Sequence, residues 1–340
     1  MIKEESLALK VREYISTRQG RDIHITDLRK DLGITDPTTP EWDNLFTIIN
    51  RLVKGRQLKY SGKRDGVYRV ITPVSPIRVF IPDRKIRPLF PLVFPRDFNT
   101  MLEMDFAKDI VIREGDLITI GGVKSQGKTT LALSFAGENI DDHPVLMGNE
   151  YTILTDNGFD VAPRFYNRLQ VMGEWIQWVD DKGEDKFTLL PVSDDYAEHI
   201  VKNKINIIDW INLDGDKSYD IGKVLYGIKA SLGRGIGIVA LQKGEGAVNP
   251  RGGQFVRDFS DLEILLDGFG DTDGDILLTL KGVKEKLTPI VGKTFAYTII
   301  GNGVKIVNFR EVTKCPSCKG QGFNKDGKCN ICYGNKFVDK

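Results

Sequence analysis

A glycine-rich loop that ends in lysine and threonine carries the clearest chemistry in this sequence. Residues 122–129 read Gly-Val-Lys-Ser-Gln-Gly-Lys-Thr and fit the phosphate-loop pattern G-x-x-x-x-G-K-[ST]. Backbone N–H groups of such a loop can surround phosphates, while Lys128 reaches the β- and γ-phosphates and Thr129 binds Mg²⁺. The alternative is a chance glycine turn, but an apolar strand precedes the loop and an apolar helix follows it. The predicted ATP contacts are Gly122, Val123, Lys124, Ser125, Gln126, Gly127, Lys128, Thr129 and Thr130.

Two carboxylates follow other apolar segments and could complete a site for a magnesium nucleotide. The strand-like segment "INIIDW" contains Asp209, which could hold the Mg²⁺ shell or simply cap a turn. The segment "PVLMGNEYT" places Glu150 beyond another predicted strand, where a carboxylate could orient and deprotonate an attacking water. The alternative for Glu150 is a solvated loop residue. The sequence therefore predicts ATP hydrolysis, with Lys128 and Glu150 as catalytic residues and Asp209 as a metal ligand.

All four cysteines lie near the C-terminal end in a pattern typical of metal ligation. Cys315 and Cys318 form one C-x-x-C pair, and after ten further residues Cys329 and Cys332 form another. Two such pairs can complete a closed tetrahedral Zn²⁺ site that leaves no open position for catalysis. An Fe–S site or a redox pair is the alternative. The segment resembles the C-x-x-C-x-G-x-G half-repeats of DnaJ-type zinc domains, except that Lys336 replaces the last glycine of the second half.

A strongly basic region precedes the phosphate loop. Residues 51–87 carry eleven basic and two acidic residues, a net charge of +9 in a chain whose total is +1. Such a patch could bind nucleic-acid phosphates, and that binding would weaken with salt. A solvated surface or a protein-docking surface is the alternative. The predicted DNA contacts in this region are Arg51, Lys54, Arg56, Lys59, Lys63 and Arg64.

The elements that must position these residues form four consecutive regions. Residues 1–72 predict the order helix, short strand, helix, helix and hairpin, and they resemble a winged-helix domain that binds DNA or protein. Residues 73–95 contain six prolines, which favours an extended linker lying against its own core or a neighbouring subunit. Residues 96–311 alternate strands and helices, which predicts an α/β unit with a mostly parallel sheet. Residues 312–340 form the cysteine-bearing tail. The predicted strands are "LITIGG", "PVLMGNE", "INIIDW", "GIGIVALQ", "LEILLD" and "DILLTLKGV".

Composition narrows the class of protein. The chain has 340 residues, of which 41% are hydrophobic and 28% charged, as in ordinary soluble globular proteins. The N-terminal segment "MIKEESLALK" lacks the apolar run of a signal peptide, and no segment approaches the roughly 20 apolar residues of a membrane span. We therefore expect a protein without a membrane partner in the cytoplasm of a bacterium, an archaeon or the host of a virus or mobile element.

The spacing of the phosphate loop, Glu150 and Asp209 resembles that of RecA-like ATPases, including DnaB-type replicative helicases. This resemblance covers about residues 100–310 and implies a RecA-like P-loop core. Gln242 ends a predicted strand, as does the glutamine of that family that senses the γ-phosphate, so it is a further predicted catalytic residue.

The same resemblance implies contacts with DNA and with other subunits. The glycine-rich segment Lys243–Gly253 follows the glutamine, as a DNA-binding loop does in RecA, with Lys243 and Arg251 as its predicted DNA contacts. The segment "LTLKGVKEKLTP" resembles a strand that ends in a basic pair reaching the nucleotide of the next subunit. Lys284 and Lys286 would then act in trans on the transferring phosphoryl group, whereas the alternative is a solvated hairpin end. If these lysines act in trans, the active form is a ring or a filament.

Three hypotheses for the whole protein follow. The first is an ATP-driven enzyme that acts on single-stranded or duplex DNA with replication or recombination proteins as a helicase, recombinase or loader, using ATP, Mg²⁺ and Zn²⁺. The second is a DNA-bound regulator or adaptor in which ATP is a switch. The third is a KaiC-like signalling ATPase with a protein partner. We favour the first, because Glu150, Lys284 and Lys286 indicate hydrolysis and the segment Lys243–Gly253 indicates DNA.

Overall fold

The computed structural model describes residues 2–62, 64–73, 75–76, 78–80, 88–211, 220–245, 247–270, 274–325 and 327–340, with residues 2–6 described by their backbone alone. The chain divides into two compact units, residues 1–84 and residues 85–340. Within the described ranges, no helix combines the length and the apolar character that a membrane span requires.

The first unit contains helices and a small antiparallel sheet in the order that the sequence predicts. The elements are α1 (Ile2–Ser16), β1 (Asp22–His24), α2 (Ile25–Asp31), α3 (Pro40–Lys54), β2 (Leu58–Tyr60) and β3 (Val67–Val70). Strand β3 lies between β1 and β2 and pairs with both in antiparallel fashion. Val11, Leu28 and Leu45 are fully buried, one from each helix, so the three helices share one core.

Helix α3 shows why the basic residues gather where they do. It begins with Pro40, whose fixed φ suits the first helical position. Four of its apolar residues recur at helical spacing and are buried, whereas Arg51 and Lys54 lie exposed in the last turn. Cations at this end also stabilise the helix dipole, so their position has a structural reason besides any contact with DNA.

The second unit is built around a ten-stranded sheet. The strands of the whole second unit, inside and outside this sheet, are β4 (Leu117–Gly122), β5 (Val145–Met147), β6 (Thr152–Thr155), β7 (Gly158–Val161), β8 (Thr188–Leu190), β9 (Ile205–Ile211), β10 (Ile236–Gln242), β11 (Leu262–Gly268), β12 (Asp275–Val283), β13 (Thr294–Ile300), β14 (Lys305–Lys314), β15 (Phe323–Asn324), β16 (Gly327–Lys328) and β17 (Phe337–Asp339). Its α-helices are α4 (Lys128–Glu138), α5 (Pro163–Met172), α6 (Tyr196–His199), α7 (Ile221–Ser231) and α8 (Gln254–Phe259), with 3₁₀ turns at Asp105–Asp109 and Ile140–Asp142.

The strand order in the large sheet is β17-β14-β13-β12-β11-β4-β10-β9-β5-β8. The six strands from β11 to β8 pair in parallel, and β12, β13, β14 and β17 add an antiparallel extension. Hairpins β6–β7 and β15–β16 stand outside this sheet. The expected α/β fold with a mostly parallel core is therefore confirmed, and all six predicted strands are present. The sequence did not predict the other four strands of the sheet, β8, β13, β14 and β17.

Helices cover both faces of the parallel strands, which explains why these strands are continuously apolar. Along β4, Ile118 and Ile120 join the core that contains α4, whereas Leu117 joins the core that contains α7. Residues of β9 and β10 divide between the two cores in the same way. Because parallel strands end at one edge, the carboxyl ends of β4, β5, β9 and β10 meet there, which is where such sheets bind ligands.

Residues 88–95, the last part of the proline-rich segment, pack against the core of the second unit to which they belong. Phe94 is buried in the core, and the amide of Phe90 donates to the carbonyl of Ile112 over 2.8 Å. The side chain of Asn139 bonds the backbone of Val93 at both N–H and C=O. Residues 88–95 are therefore an extended strap on their own core, whereas residues 81–87 lie outside the described residues.

Candidate nucleotide and zinc sites

The predicted phosphate loop connects β4 to α4 in the geometry that its sequence requires. Gly127 adopts φ 77°, and a Cβ at this position would overlap the side chain of Ile299. Helix α4 begins at Lys128, whose ammonium donates to the carbonyl oxygens of Gly122 at 3.1 Å and Val123 at 2.8 Å. Burial lowers the pKa of Lys128, and the nearby carboxylates of Asp209 and Glu150 oppose this effect. The loop therefore holds a buried cation at the amino end of a helix, where an anion is stabilised.

Asp209 lies on β9 as a fully buried carboxylate that lacks the partners such a group needs. Neither carboxylate oxygen accepts a hydrogen bond of normal geometry from the described residues. The pKa of Asp209 is raised to about 6, mainly by burial and also by Glu150, while the nearby Thr129 hydroxyl lowers it. A buried carboxylate without partners costs free energy that a bound cation would recover. The donor set of Asp209 and Thr129, both oxygen ligands, fits Mg²⁺.

Glu150 is placed beside Asp209 by a close approach of two backbones. Gly148 follows β5 with φ 123°, and any Cβ there would overlap the backbone of Asp209. The amide of Glu150 donates to the carbonyl of Asp209 at 3.2 Å, and the indole Nε1 of Trp210 donates to the Glu150 carboxylate at 3.2 Å. Glu150 itself is exposed. Its carboxylate is thus held at the mouth of the site, where it can accept a proton from water.

These groups open into one cavity of about 730 Å³, a size suited to a nucleotide. Gln242, which ends β10 between the strands of the phosphate loop and of Asp209, lies in its wall. The hydroxyl of Thr130 donates to the carbonyl of Gly303 at 2.6 Å, which ties α4 to the turn between β13 and β14. The lining residues are Lys124, Ser125, Gly127, Lys128, Thr129, Thr130, Glu150, Arg164, Arg168, Asp209, Trp210, Gln242, Arg251, Gly274, Ile276, Ile299 and Gly303.

Three arginines add positive charge to this cavity, and the sequence did not predict this position for any of them. Arg164 and Arg168 are four residues apart on α5 and share a helix face. Arg168 lies close enough to Asp209 to lower its pKa. Arg251 was predicted to contact DNA, but its amide donates to the carbonyl of Gln242 at 2.9 Å, and its side chain lines the cavity. In the sequence, the i, i+4 spacing of Arg164 and Arg168 after Pro163 could have indicated that these two side chains share a helix face.

Lys284 and Lys286 lie at the opposite edge of the sheet from the phosphate loop. The Lys284 ammonium pairs with Asp261 at 3.1 Å, and the amide of Asp261 bonds the carbonyl of Leu117, where β4 begins. The Lys286 ammonium contacts the carbonyl of Val283 at 3.5 Å. Neither lysine lines the cavity of its own chain, so their action on a neighbouring nucleotide stays a prediction.

The remaining predicted DNA contacts divide between exposed and buried positions. Lys243 is only 4% exposed and forms an ion pair with Asp267, so it does not present its ammonium to solvent. Lys63 lies outside the described residues. The predicted contacts that lie exposed in the first unit are Arg51, Lys54, Arg56, Lys59 and Arg64.

The four cysteines form a compact buried cluster with the dimensions of a tetrahedral zinc site. Their Sγ atoms all lie within 4.8 Å of one another, with separations of 3.8 Å for Cys315–Cys329 and 3.6 Å for Cys318–Cys332. Tetrahedral Zn–S bonds of about 2.3 Å place the sulfurs about 3.8 Å apart, which matches these separations. The amide of Gly322 donates to Cys318 Sγ at 3.2 Å, and backbone N–H groups lower the pKa of Cys329 to about 6. The residues therefore fit Zn²⁺ held by thiolates.

We predict that Asp209→Asn stabilises the metal-free protein. Since the pKa of Asp209 is raised to about 6, the folded state holds its proton more tightly than the unfolded state, and the free energy of unfolding falls as pH rises through that range. Removing the charge should raise the free energy of unfolding by about 1–3 kcal/mol above pH 7, with little gain below pH 4. Urea unfolding in EDTA at both pH values measures this. An unchanged or lower stability of Asp209→Asn at high pH would contradict it.

We predict that each chain binds one zinc ion and that its removal unfolds residues 315–332 selectively. So short a segment buries little core, so metal binding supplies most of its folding energy, on the order of 10 kcal/mol. Atomic absorption measures the metal, and limited proteolysis after chelation locates the unfolded segment. Cys329→Ser should behave like the chelated protein and Ser317→Ala like the wild type. Iron in the purified protein, or protease resistance without metal, would refute the zinc assignment.

Comparisons with known proteins find similarity among solved structures. No protein-family model matches the sequence, and no curated protein matches it. Among solved structures, the chain is similar to a KaiC-like protein from the hyperthermophilic archaeon Pyrococcus horikoshii OT3, with 16% sequence identity and a TM-score of 0.43. This similarity covers 65% of this chain and 99% of the archaeal chain. The α/β fold with a mostly parallel core and the phosphate loop are observed in this chain itself.

Proposed function

We propose that this protein is an ATPase of RecA-like type that acts on DNA in replication or recombination and hydrolyses ATP at subunit interfaces. ATP hydrolysis is supported by one observation above all. The buried carboxylate of Asp209 lies in the same cavity as Thr129, Lys128 and Glu150. No apolar core requires such a carboxylate, whereas a magnesium nucleotide does.

Each residue of the cavity has a defined task in this reaction. The loop amides and the Lys128 ammonium bind the β- and γ-phosphates, and Glu150, oriented by Trp210, accepts a proton from the attacking water. Gln242 lies between the two strands that carry the loop and Asp209, where it can contact the γ-phosphate. Arg164 and Arg168 supply cations that stabilise charge in the transition state. Mg²⁺, held by Thr129 and Asp209, would neutralise charge on the phosphate oxygens when bound.

The proposed action on DNA is supported by charge outside the cavity. The exposed basic residues at the end of α3 and on β2 belong to a region with a net charge of +9. Their element order is the one in which a winged-helix domain presents a helix and a hairpin to a duplex. The burial of Lys243 favours the second hypothesis, an ATP-switched regulator or adaptor, because it removes one cation from the loop that resembles the DNA-binding loop of RecA.

Turnover with and without single-stranded DNA separates these hypotheses. We expect several-fold stimulation of ATP hydrolysis by DNA, and a loss of at least about 100-fold in Lys128→Ala, because the phosphates lose their principal cation. Lys223→Ala, which alters an exposed lysine on α7, is the matched control. Normal hydrolysis by Lys128→Ala would contradict the assigned site. Turnover that ignores DNA would favour the switch.

Mixing two inactive variants tests whether Lys284 and Lys286 act in trans. Lys128→Ala lacks a working loop but keeps both lysines, and the double variant Lys284→Ala/Lys286→Ala keeps the loop. In an equimolar mixed assembly, about a quarter of the head-to-tail interfaces would combine an intact loop with intact lysines, so that share of activity should return. If the lysines only brace the fold, Lys284 through Asp261 and Lys286 through the carbonyl of Val283, the mixture stays inactive. Sedimentation in ATP verifies that mixed assemblies form.

A further inference from the structure

The zinc module, residues 314–336, carries a surface that neither metal binding nor packing explains. Phe323 is 60% exposed and Tyr333 72% exposed. Single exposed apolar residues are common, but two large aromatic rings on so small a module are not required by its core, which the four thiols form. Such rings, when exposed, often mark a binding surface.

Positive charge accompanies these rings. Between residues 314 and 336 the sequence has five lysines and one aspartate. All five lysines are exposed in the structure. Four thiolates with one Zn²⁺ contribute two negative charges, so the module keeps a net charge of +2. The lysines therefore exceed what is needed to balance the metal site.

The rings and several lysines lie on adjoining parts of the module. Phe323 pairs with Lys328 across the β15–β16 hairpin. The side chain of Lys328 crosses Gly334, the neighbour of Tyr333. Lys336 in turn lies over Gly322, the neighbour of Phe323. We call the set Lys319, Phe323, Lys325, Lys328, Tyr333 and Lys336 the knuckle surface.

The module is joined firmly to the large sheet. Strand β17, which follows it, pairs with β14 from Val312 to Lys314. Arg310 forms an ion pair with Asp339 at 2.7 Å, and the ring of Phe337 lies 6.5 Å from that of Phe269. A ligand held on the knuckle surface would therefore be held at a fixed position against the antiparallel end of the sheet.

We propose that the knuckle surface binds single-stranded nucleic acid. Bases stack on Phe323 and Tyr333, and the lysines contact the phosphates between them. This combination of exposed rings and cations is the one that binds single strands without sequence preference. An unfolded polypeptide would use the rings but has no general use for the lysines. The inference rests on the proposed action on DNA and assigns part of that contact to the zinc module.

The test uses the full-length, zinc-loaded protein and a fluorescein-labelled thymidine oligomer of roughly 20 nucleotides, followed by anisotropy at several salt concentrations. The double variant Phe323→Ala/Tyr333→Ala should bind at least about tenfold more weakly. Lys319→Gln/Lys325→Gln should lower the slope of log affinity against log salt by about 1.4, or 0.7 for each lost phosphate contact. Tyr226→Ala and Lys202→Gln, which alter an exposed tyrosine and lysine elsewhere in the second unit, are the matched controls and should match the wild type.

The outcomes separate this inference from the proposed function. If the wild type binds the oligomer and both knuckle variants bind equally well, the inference is wrong and the proposed function stands. A wild type that does not bind the oligomer at all overturns the inference, and one that also fails to bind duplex DNA overturns the proposed action on DNA. Loss of binding to an unfolded polypeptide, with oligomer binding unchanged, would assign the surface to proteins instead. The zinc content of each variant verifies that the module is folded. If Phe323→Ala/Tyr333→Ala loses its metal, Lys319→Gln/Lys325→Gln still tests the inference.

Discussion

The site depends on one costly placement, a carboxylate at the end of a central strand with no hydrogen-bond partner among the described residues. Asp209 is buried on every side, and its raised pKa records the cost of keeping it charged there. Folding alone gains nothing from this placement. The free energy is recovered only when a cation binds, so the metal-free protein is less stable than an apolar or amide-bearing equivalent would be. Functional sites commonly carry such costs.

The parallel sheet supplies the geometry that makes this placement useful. Strands β4, β9 and β10 end at one edge, which brings the loop lysine, the carboxylate and Gln242 into one wall. Gly148 lets the segment after β5 approach the backbone of Asp209, so Glu150 lies beside it. At the opposite end of these strands, Asp261 forms ion pairs with both Lys284 and Lys229. Lys284 and the phosphate loop therefore lie at opposite ends of the strands, so the proposed action of Lys284 on a nucleotide requires a neighbouring subunit.

Much of this could be predicted from sequence, because short motifs have local physical causes. The phosphate loop, the two C-x-x-C pairs and the six apolar strands follow from spacing within a few residues. Pairings between distant segments could not be predicted. The sequence places Lys243 in a basic loop, but in the fold its ammonium forms an ion pair with Asp267. The amide of Arg251 donates to the carbonyl of Gln242, and Arg251 lines the cavity. Strand β14 continues to Lys314 and pairs with β17, so the cysteine segment joins the sheet.

The most direct test of the account is calorimetric titration of the protein with ATP in the presence and absence of Mg²⁺. The account predicts one nucleotide per chain, with affinity that depends strongly on Mg²⁺ in the wild type and only weakly in Asp209→Asn, because the variant lacks the buried carboxylate that holds the ion. Absence of nucleotide binding by folded wild-type protein would contradict it, as would equal dependence on Mg²⁺ in both proteins.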